Sequence, residues 1–132
     1  MISGFFSWLC ISQIRVELYG DGLDVSSDKQ LSILHCVPLF HVTGSHVGFF
    51  MSIPVGRKIV MMKKWDAKEA LELLEKEKIT NITGVPTQTW ELLNHPDREK
   101  YDLSNLEDLS GGGAARPPEH VKQLDEAFKA RP

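Results

Sequence analysis

Residues 66–93 read DAKEALELLEKEKITNITGVPTQTWELL and carry, in succession, a helix, a strand and a second helix. Asp66 is a good N-cap, and Glu69 follows three residues later, as in a capping box. Ala67, Ala70, Leu71 and Leu74 recur at helical spacing and predict a core stripe. Glu72, Glu75, Lys76 and Lys78 fall on the other side and read as a solvated face rather than a binding surface. Thr80 to Val85 then predicts a strand. Pro86 stands in a first helical turn, where its missing N–H costs nothing, and Thr89, Trp90 and Leu93 continue the helical spacing.

The same alternation extends in both directions. Upstream, Leu31–Val37 is a short apolar run closed by Pro38 and predicts a strand. Gly44–Ile53 is apolar nearly throughout, with Gly44, Ser45 and Gly48 as small residues, and predicts a buried helix pressed against another backbone. Arg57–Met62 predicts a second strand after a turn at Pro54–Gly56. Further back, Ile2, Phe5, Phe6 and Leu9 form a one-faced helical stripe, while Trp8 and Ile11 add apolar surface on other faces. Downstream, Asn94–Asn105 is a polar connection, Leu106–Leu109 a fourth short strand ending in Gly111-Gly112-Gly113, and Pro117-Pro118 opens a helix with Val121, Leu124 and Phe128 facing inward. Strands that alternate with helices imply parallel pairing, so the expected class is α/β: a mostly parallel sheet with helices on both faces.

The 132 residues suffice for one domain with one core. A net charge of −3 argues against a nucleic-acid partner, because neutralising phosphates needs a basic surface. Cys10 and Cys36 show no metal-ligand spacing and read as free thiols of a reducing compartment. Met1–Ile11 is apolar, but the first basic residue is Arg15 and no small-residue cleavage site follows, so no signal peptide is expected. No run approaches the roughly 18 apolar residues that span a bilayer. A cytoplasmic location is the expectation.

In open α/β sheets ligands sit beyond the carboxyl ends of the strands. Three such ends are distinctive: Pro38-Leu39-Phe40-His41-Val42-Thr43-Gly44, Gly84-Val85-Pro86-Thr87, and Ser110-Gly111-Gly112-Gly113-Ala114-Ala115. Parallel strands would bring all three to one edge, so that His41, Pro86 and Gly112 lie in or beside a shared cleft. The glycines let a ligand approach the backbone and lead to a helix N-terminus that favours anions, but they lack the Gly-Lys-Ser/Thr ending of a P-loop, and an ordinary strand-to-helix turn explains them too. His41, a lone histidine near an apolar segment, reads as a satisfied structural residue before a catalyst. His35 lies in a strand and His46 in a helix, which speaks against a three-histidine metal site. Asp102, Glu107 and Asp108 read as loop charges rather than acid or base catalysts.

At these loops the chain resembles the AMP-forming acyl-CoA synthetases, the adenylate-forming ligases. Residues 38–44 resemble the family's "PLFH…G" segment, residues 78–87 its strand leading to a "VPT" turn, and residues 101–115 its "DLSSL…GGA" segment. The resemblance is good over 28–132, and 1–27 forms a leading helix and loop, so 1–132 is expected to be a partial subdomain of the family's N-terminal domain. The resemblance implies a carboxylate attacking the α-phosphate of ATP, followed by displacement of AMP by coenzyme A. It implies that His41 stands beside the acyl carboxylate and that Val47 and Phe50 point to the acyl pocket. Val85, Pro86 and Thr87 would line the pocket wall, and Gly112, Gly113 and Ala114 would pack against adenine and acyl group. Ala115 stands where the family usually has Pro or a similar residue, a mild departure.

No Ser/Thr-Gly-Thr-Thr-Gly-x-Pro-Lys phosphate loop, Tyr-Gly-x-Thr-Glu segment, ribose-binding aspartate or catalytic lysine is recognisable. The expectation is therefore an internal fragment with no complete catalytic set and no metal site. It would be inactive alone, binding no cofactor by itself, with ATP, Mg2+, coenzyme A and a carboxylic (fatty) acid belonging to the full-length family together with the missing flanking segments. The alternative is a non-catalytic remnant of the fold that holds an acyl group, a nucleotide or another protein.

Overall fold

The computed structural model describes residues 29–112, together with 6, 7, 10, 14, 115, 117–119 and 121–123. Four strands, β1 (Ser32–His35), β2 (Lys58–Met61), β3 (Asn81–Gly84) and β4 (Asp108–Gly111), form one sheet in the order β2-β1-β3-β4. Every pairing is parallel, with Leu34 in register with Val60 and Ile82, and Ile82 with Leu109. β1 thus separates the second and third strands in sequence, as a sheet built on crossovers requires.

Side chains alternate along a strand, so each face of the sheet has its own set. Leu34, Ile82 and Leu109 point to one face and pack with Ala70, Leu71 and Leu74 of helix α1 (Ala67–Lys76) and Leu92 of helix α2 (Pro86–Leu93). The other face carries Ile33, His35 and Thr83, and is covered by a π-helix over Thr43–Phe49 that continues into a 3-10 turn at Phe50–Ser52. Helices therefore lie on both faces.

Local chemistry places the helices. Asp66 accepts a hydrogen bond from the Glu69 N–H at 2.9 Å and starts α1. α1 ends where Lys78 turns left-handed at φ 51° and the Ile79 N–H reaches the Leu74 carbonyl at 3.0 Å, sending the chain into β3. In α2, Pro86 occupies the first turn and the Gln88 carboxamide reaches back to the Val85 N–H at 2.9 Å.

Four details differ from the sequence reading. The segment expected as a helix over Gly44–Ile53 is helical but wide, a π-helix and then a tight turn. Its two glycines press so closely on β1 and the loop after it that the backbone takes that seat rather than the regular α spacing. β4 starts at Asp108 instead of Leu106, because pairing to β3 begins with Asn81 opposite Asp108 while Leu106 is buried before the ladder starts. Ala67 of the expected α1 stripe is only half-buried. In α2 the buried residues are Thr89 and Leu92, with Trp90 and Leu93 half-buried. Of the leading helix, Phe6, Ser7, Cys10 and Ile14 are described and helical; Ile2, Phe5, Trp8, Leu9 and Ile11 lie outside the described residues, as do Leu124 and Phe128 of the closing helix. Among the described residues no helix is long and apolar enough to cross a membrane.

Candidate functional site

The carboxyl ends of β1, β3 and β4 open onto the same edge of the sheet, because all three run in one direction. Side chains and backbone tie the three loops together. Cys36, the first residue after β1, directs its thiol toward the Thr83 carbonyl at 3.8 Å and the Gln88 Oε1 at 3.7 Å. The same Oε1 accepts from the Val85 N–H, and the Gly112 N–H donates to the Gly84 carbonyl at 3.0 Å. Gln88 is thus the joint between the first two loops. A side chain on Gly84 would place its Cβ 2.3 Å from that Oε1, so the joint requires glycine there. The sequence reading did not single out Gln88; its place three residues after Val85, ahead of an apolar helical run, is the signal that could have found it. Burial pushes the Cys36 thiol up to about 11, which makes it a packing group and not a nucleophile at neutral pH.

His41 projects from a turn closed by its own N–H to the Pro38 carbonyl at 3.0 Å. It is exposed, and its Nδ1 accepts from the Thr43 N–H at 3.2 Å, which leaves Nε2 to carry the proton of the neutral ring. Its carbonyl holds both the N–H and the hydroxyl of Ser45, at 2.9 and 3.1 Å, and so starts the π-helix. Gly44 lies where a Cβ would stand 2.3 Å from the Pro38 carbonyl oxygen. Phe40, 93% exposed, and the exposed Leu39 and Val42 surround His41 with apolar surface.

From this edge the π-helix runs back across the sheet, since Ser52 and Arg57 lead into the start of β2. Val47 is half-buried and its carbonyl accepts from Arg57 Nη2 at 3.1 Å. Arg57 Nε also donates to Ser52 Oγ at 2.9 Å, and Ser52 Oγ donates to the Gly48 carbonyl at 2.6 Å. Burial lowers the Arg57 guanidinium to about 10, partly countered by Asp108. Phe50 is exposed and stacks edge-on against Phe49 and His46. Val47 and Phe50 therefore belong to the helical segment that follows His41. Val85 and Thr87 are exposed and Pro86 is half-buried, all at the edge with Gly112. A Cβ on Gly112 would meet nothing within 4 Å, so its backbone faces open space; Gly113 and Ala114 lie outside the described residues. A groove of about 520 Å³ lies elsewhere, beyond the carboxyl end of α2, lined by residues such as Leu93, His95 and Arg98. Among the described residues no group of three or more His, Cys, Asp or Glu could hold a metal ion.

The profile of the AMP-binding enzyme family matches residues 7–132. The chain belongs to the AMP-binding enzyme family. The chain is 34% identical over 108 residues to an octahydroindenyl-propanoyl:CoA ligase of Rhodococcus jostii, a match covering 82% of the chain and 21% of the relative. It is 40% identical over 91 residues to a long-chain-fatty-acid–CoA ligase of Bacillus subtilis, covering 69% and 16%. Among solved structures, a natural red-emitting luciferase from Phrixothrix hirtus shares its fold with a TM-score of 0.72 at 28% identity, over 89% of the chain and 22% of the luciferase. The chain thus spans about a fifth of the length of the curated relatives it matches.

Proposed function

We propose that this chain forms acyl and adenine walls of an AMP-forming acyl-CoA synthetase, and that the 132 residues do not complete the reaction by themselves. The carrying observation is the joining of three family-like loops at one sheet edge, through Cys36, Gln88 and Val85 on one side and Gly84 and Gly112 on the other. In this reading the Nε2–H of His41 meets the acyl carboxylate, Val47 and Phe50 border the acyl chain, and Val85, Pro86 and Thr87 form the side wall. Gly112, Gly113 and Ala114 give a flat adenine ring access to the backbone, and the open space beside Gly112 suits such a ring.

The same loops do not suit a triphosphate with its magnesium. Residues 36–44, 84–88 and 111–112 contain no Lys, Arg, Asp or Glu. Phosphoryl charge needs fixed donors and cations, and loss of one preorganised donor commonly costs about 10²–10³ in rate. Mg2+, the phosphates of ATP and coenzyme A therefore call on groups other than these loops. A second reading, a module that binds without chemistry, is favoured by this same uncharged edge.

The test pairs turnover with binding. Pyrophosphate release with ATP, Mg2+ and a panel of short, medium, long and aromatic acids is expected to stay at background for the 132-residue chain. A non-reactive acyl-sulfamoyl adenosine is expected to shift the NMR signals of Gly84, Val85, Gly112 and the His41 ring. Turnover that disappears in His41→Ala would show a working enzyme and overturn the incompleteness. Shifts confined to the groove beyond α2 would overturn the assignment of the site. Turnover gained only with separately expressed flanking segments of a synthetase would favour the ligase reading over the binding module.

A further inference from the structure

We propose that His35 is an acid-sensitive latch: its neutral imidazole holds the π-helix Thr43–Phe49 on the sheet, and a proton on that ring releases it. His35 ends β1 at the middle of the sheet, flanked in register by Met61 and Thr83, and is only 4% exposed. Its ring fills the space that a Cβ on Gly48 would occupy, with Nδ1 at 2.3 Å and Cε1 at 2.6 Å from that position. Its Nε2 is buried and has no hydrogen-bond partner among the described residues. A neutral ring already leaves one polar atom unsatisfied there, which costs stability. An imidazolium would carry two buried donors and a charge.

Among the described residues, nothing on the packed elements offsets that charge. No Asp or Glu occurs between Lys29 and Met62, or between Ile79 and Trp90. The charged or titratable neighbours are Lys58 on β2, none on β3, His46 on the π-helix, the Cys36 thiol beside it, and Arg57, whose guanidinium is bound to the π-helix itself at the Val47 carbonyl. Asp108 shares this face but stands at the amino edge, bonded to Asn81 Nδ2 at 3.2 Å. α1 packs on the opposite face through Leu34. Burial holds the His35 ring below its ordinary value of 6.5, in line with this setting. The segment above it is the part of the fold suited to move. Its helix is of the wide type with a long repeat, it meets the sheet through Gly44 and Gly48, and Val42, Phe50 and Ile53 on or beside it are exposed.

The sign follows from linkage. With the closed-state value depressed, the open state binds the proton first as pH falls through 6.5, so closure is fully present above that value and weakens below it. The experiment is an NMR titration of the intact chain from neutral pH to about pH 5, with amide exchange corrected for its intrinsic pH dependence. The His35 ring is expected to titrate below 6.5. Protection of amides 43–52 should fall about tenfold per pH unit until the ring is charged, with β3 and α1 unaffected. His35→Gln should abolish the fall, and His46→Gln and His41→Gln should keep it. An unchanged fall in His35→Gln, or none in the unaltered chain, overturns the proposal. If His35→Gln does not fold, amides 43–52 that follow the His46 ring instead of His35 in the unaltered chain overturn it equally.

Discussion

The two faces of the sheet are made differently. On the α1 and α2 side, Leu34, Ile82 and Leu109 meet Leu71, Leu74 and Leu92, all 2% exposed or less, in an apolar cluster. On the π-helix side, the strands present His35 and Thr83 beside the buried Ile33, while Ser52 and a buried Arg57 hold the covering segment by hydrogen bonds. Area removed from water stabilises the first face at roughly 25 cal/mol per Å², whatever the fine geometry. The second depends on directional bonds whose net worth is near 1 kcal/mol each and whose loss is local. One face fixes the fold; the other sets where Val47 and Phe50 stand.

The sharpest break of this contrast is Leu71→Ala. A fully buried leucine on the apolar face should cost about 2–5 kcal/mol, read as a lower urea midpoint for the whole chain. A shift no larger than that of the next two variants would erase the distinction. Gly48→Ala should cost about 1–3 kcal/mol by driving a methyl into the His35 ring, and most of that should return in the His35→Ala background. Additive losses in that double-mutant cycle would show that the two residues do not share one space. Arg57→Met should cost about 1–2 kcal/mol, seen mainly as faster amide exchange over 43–52 with β3 little changed. Uniform loss of protection would make Arg57 part of the global core. Asp66→Ala, which removes only the α1 cap, should lower stability by about 1 kcal/mol.

The apolar face was legible because it is written in spacing. Ala70, Leu71 and Leu74 at helical intervals, and short runs such as Leu31–Val37 bounded by Pro38, need only periodicity to be recognised. The α2 face was misjudged by a fraction of a turn, since Trp90 and Leu93 are as apolar as Leu92 and spacing alone cannot choose between them. The second face was not legible in the same way. The π-helix depends on how closely Gly44 and Gly48 approach the Pro38 carbonyl and the His35 ring, which is a tertiary fact. The loops of the candidate site could be named from their residue types, and the shared edge inferred from parallel pairing. Their joint at Gln88 lay hidden, because a glutamine in a first helical turn reads as a cap and its second contact, to Cys36, spans the sheet.

The strand order β2-β1-β3-β4 carries a consequence for how the chain is made. Of the described strands a ribosome delivers Ser32–His35 first; its partner on one flank, Lys58–Met61, emerges later, and its partner on the other, Asn81–Gly84, later still. No hairpin is available as an early shelter, because every pairing is parallel. During that interval the chain exposes an apolar strand beside Leu39, Phe40 and Val42. Synthesis speed through residues 36–84, and any chaperone that shields strand edges, should therefore govern soluble yield more strongly than the equilibrium strength of the finished sheet.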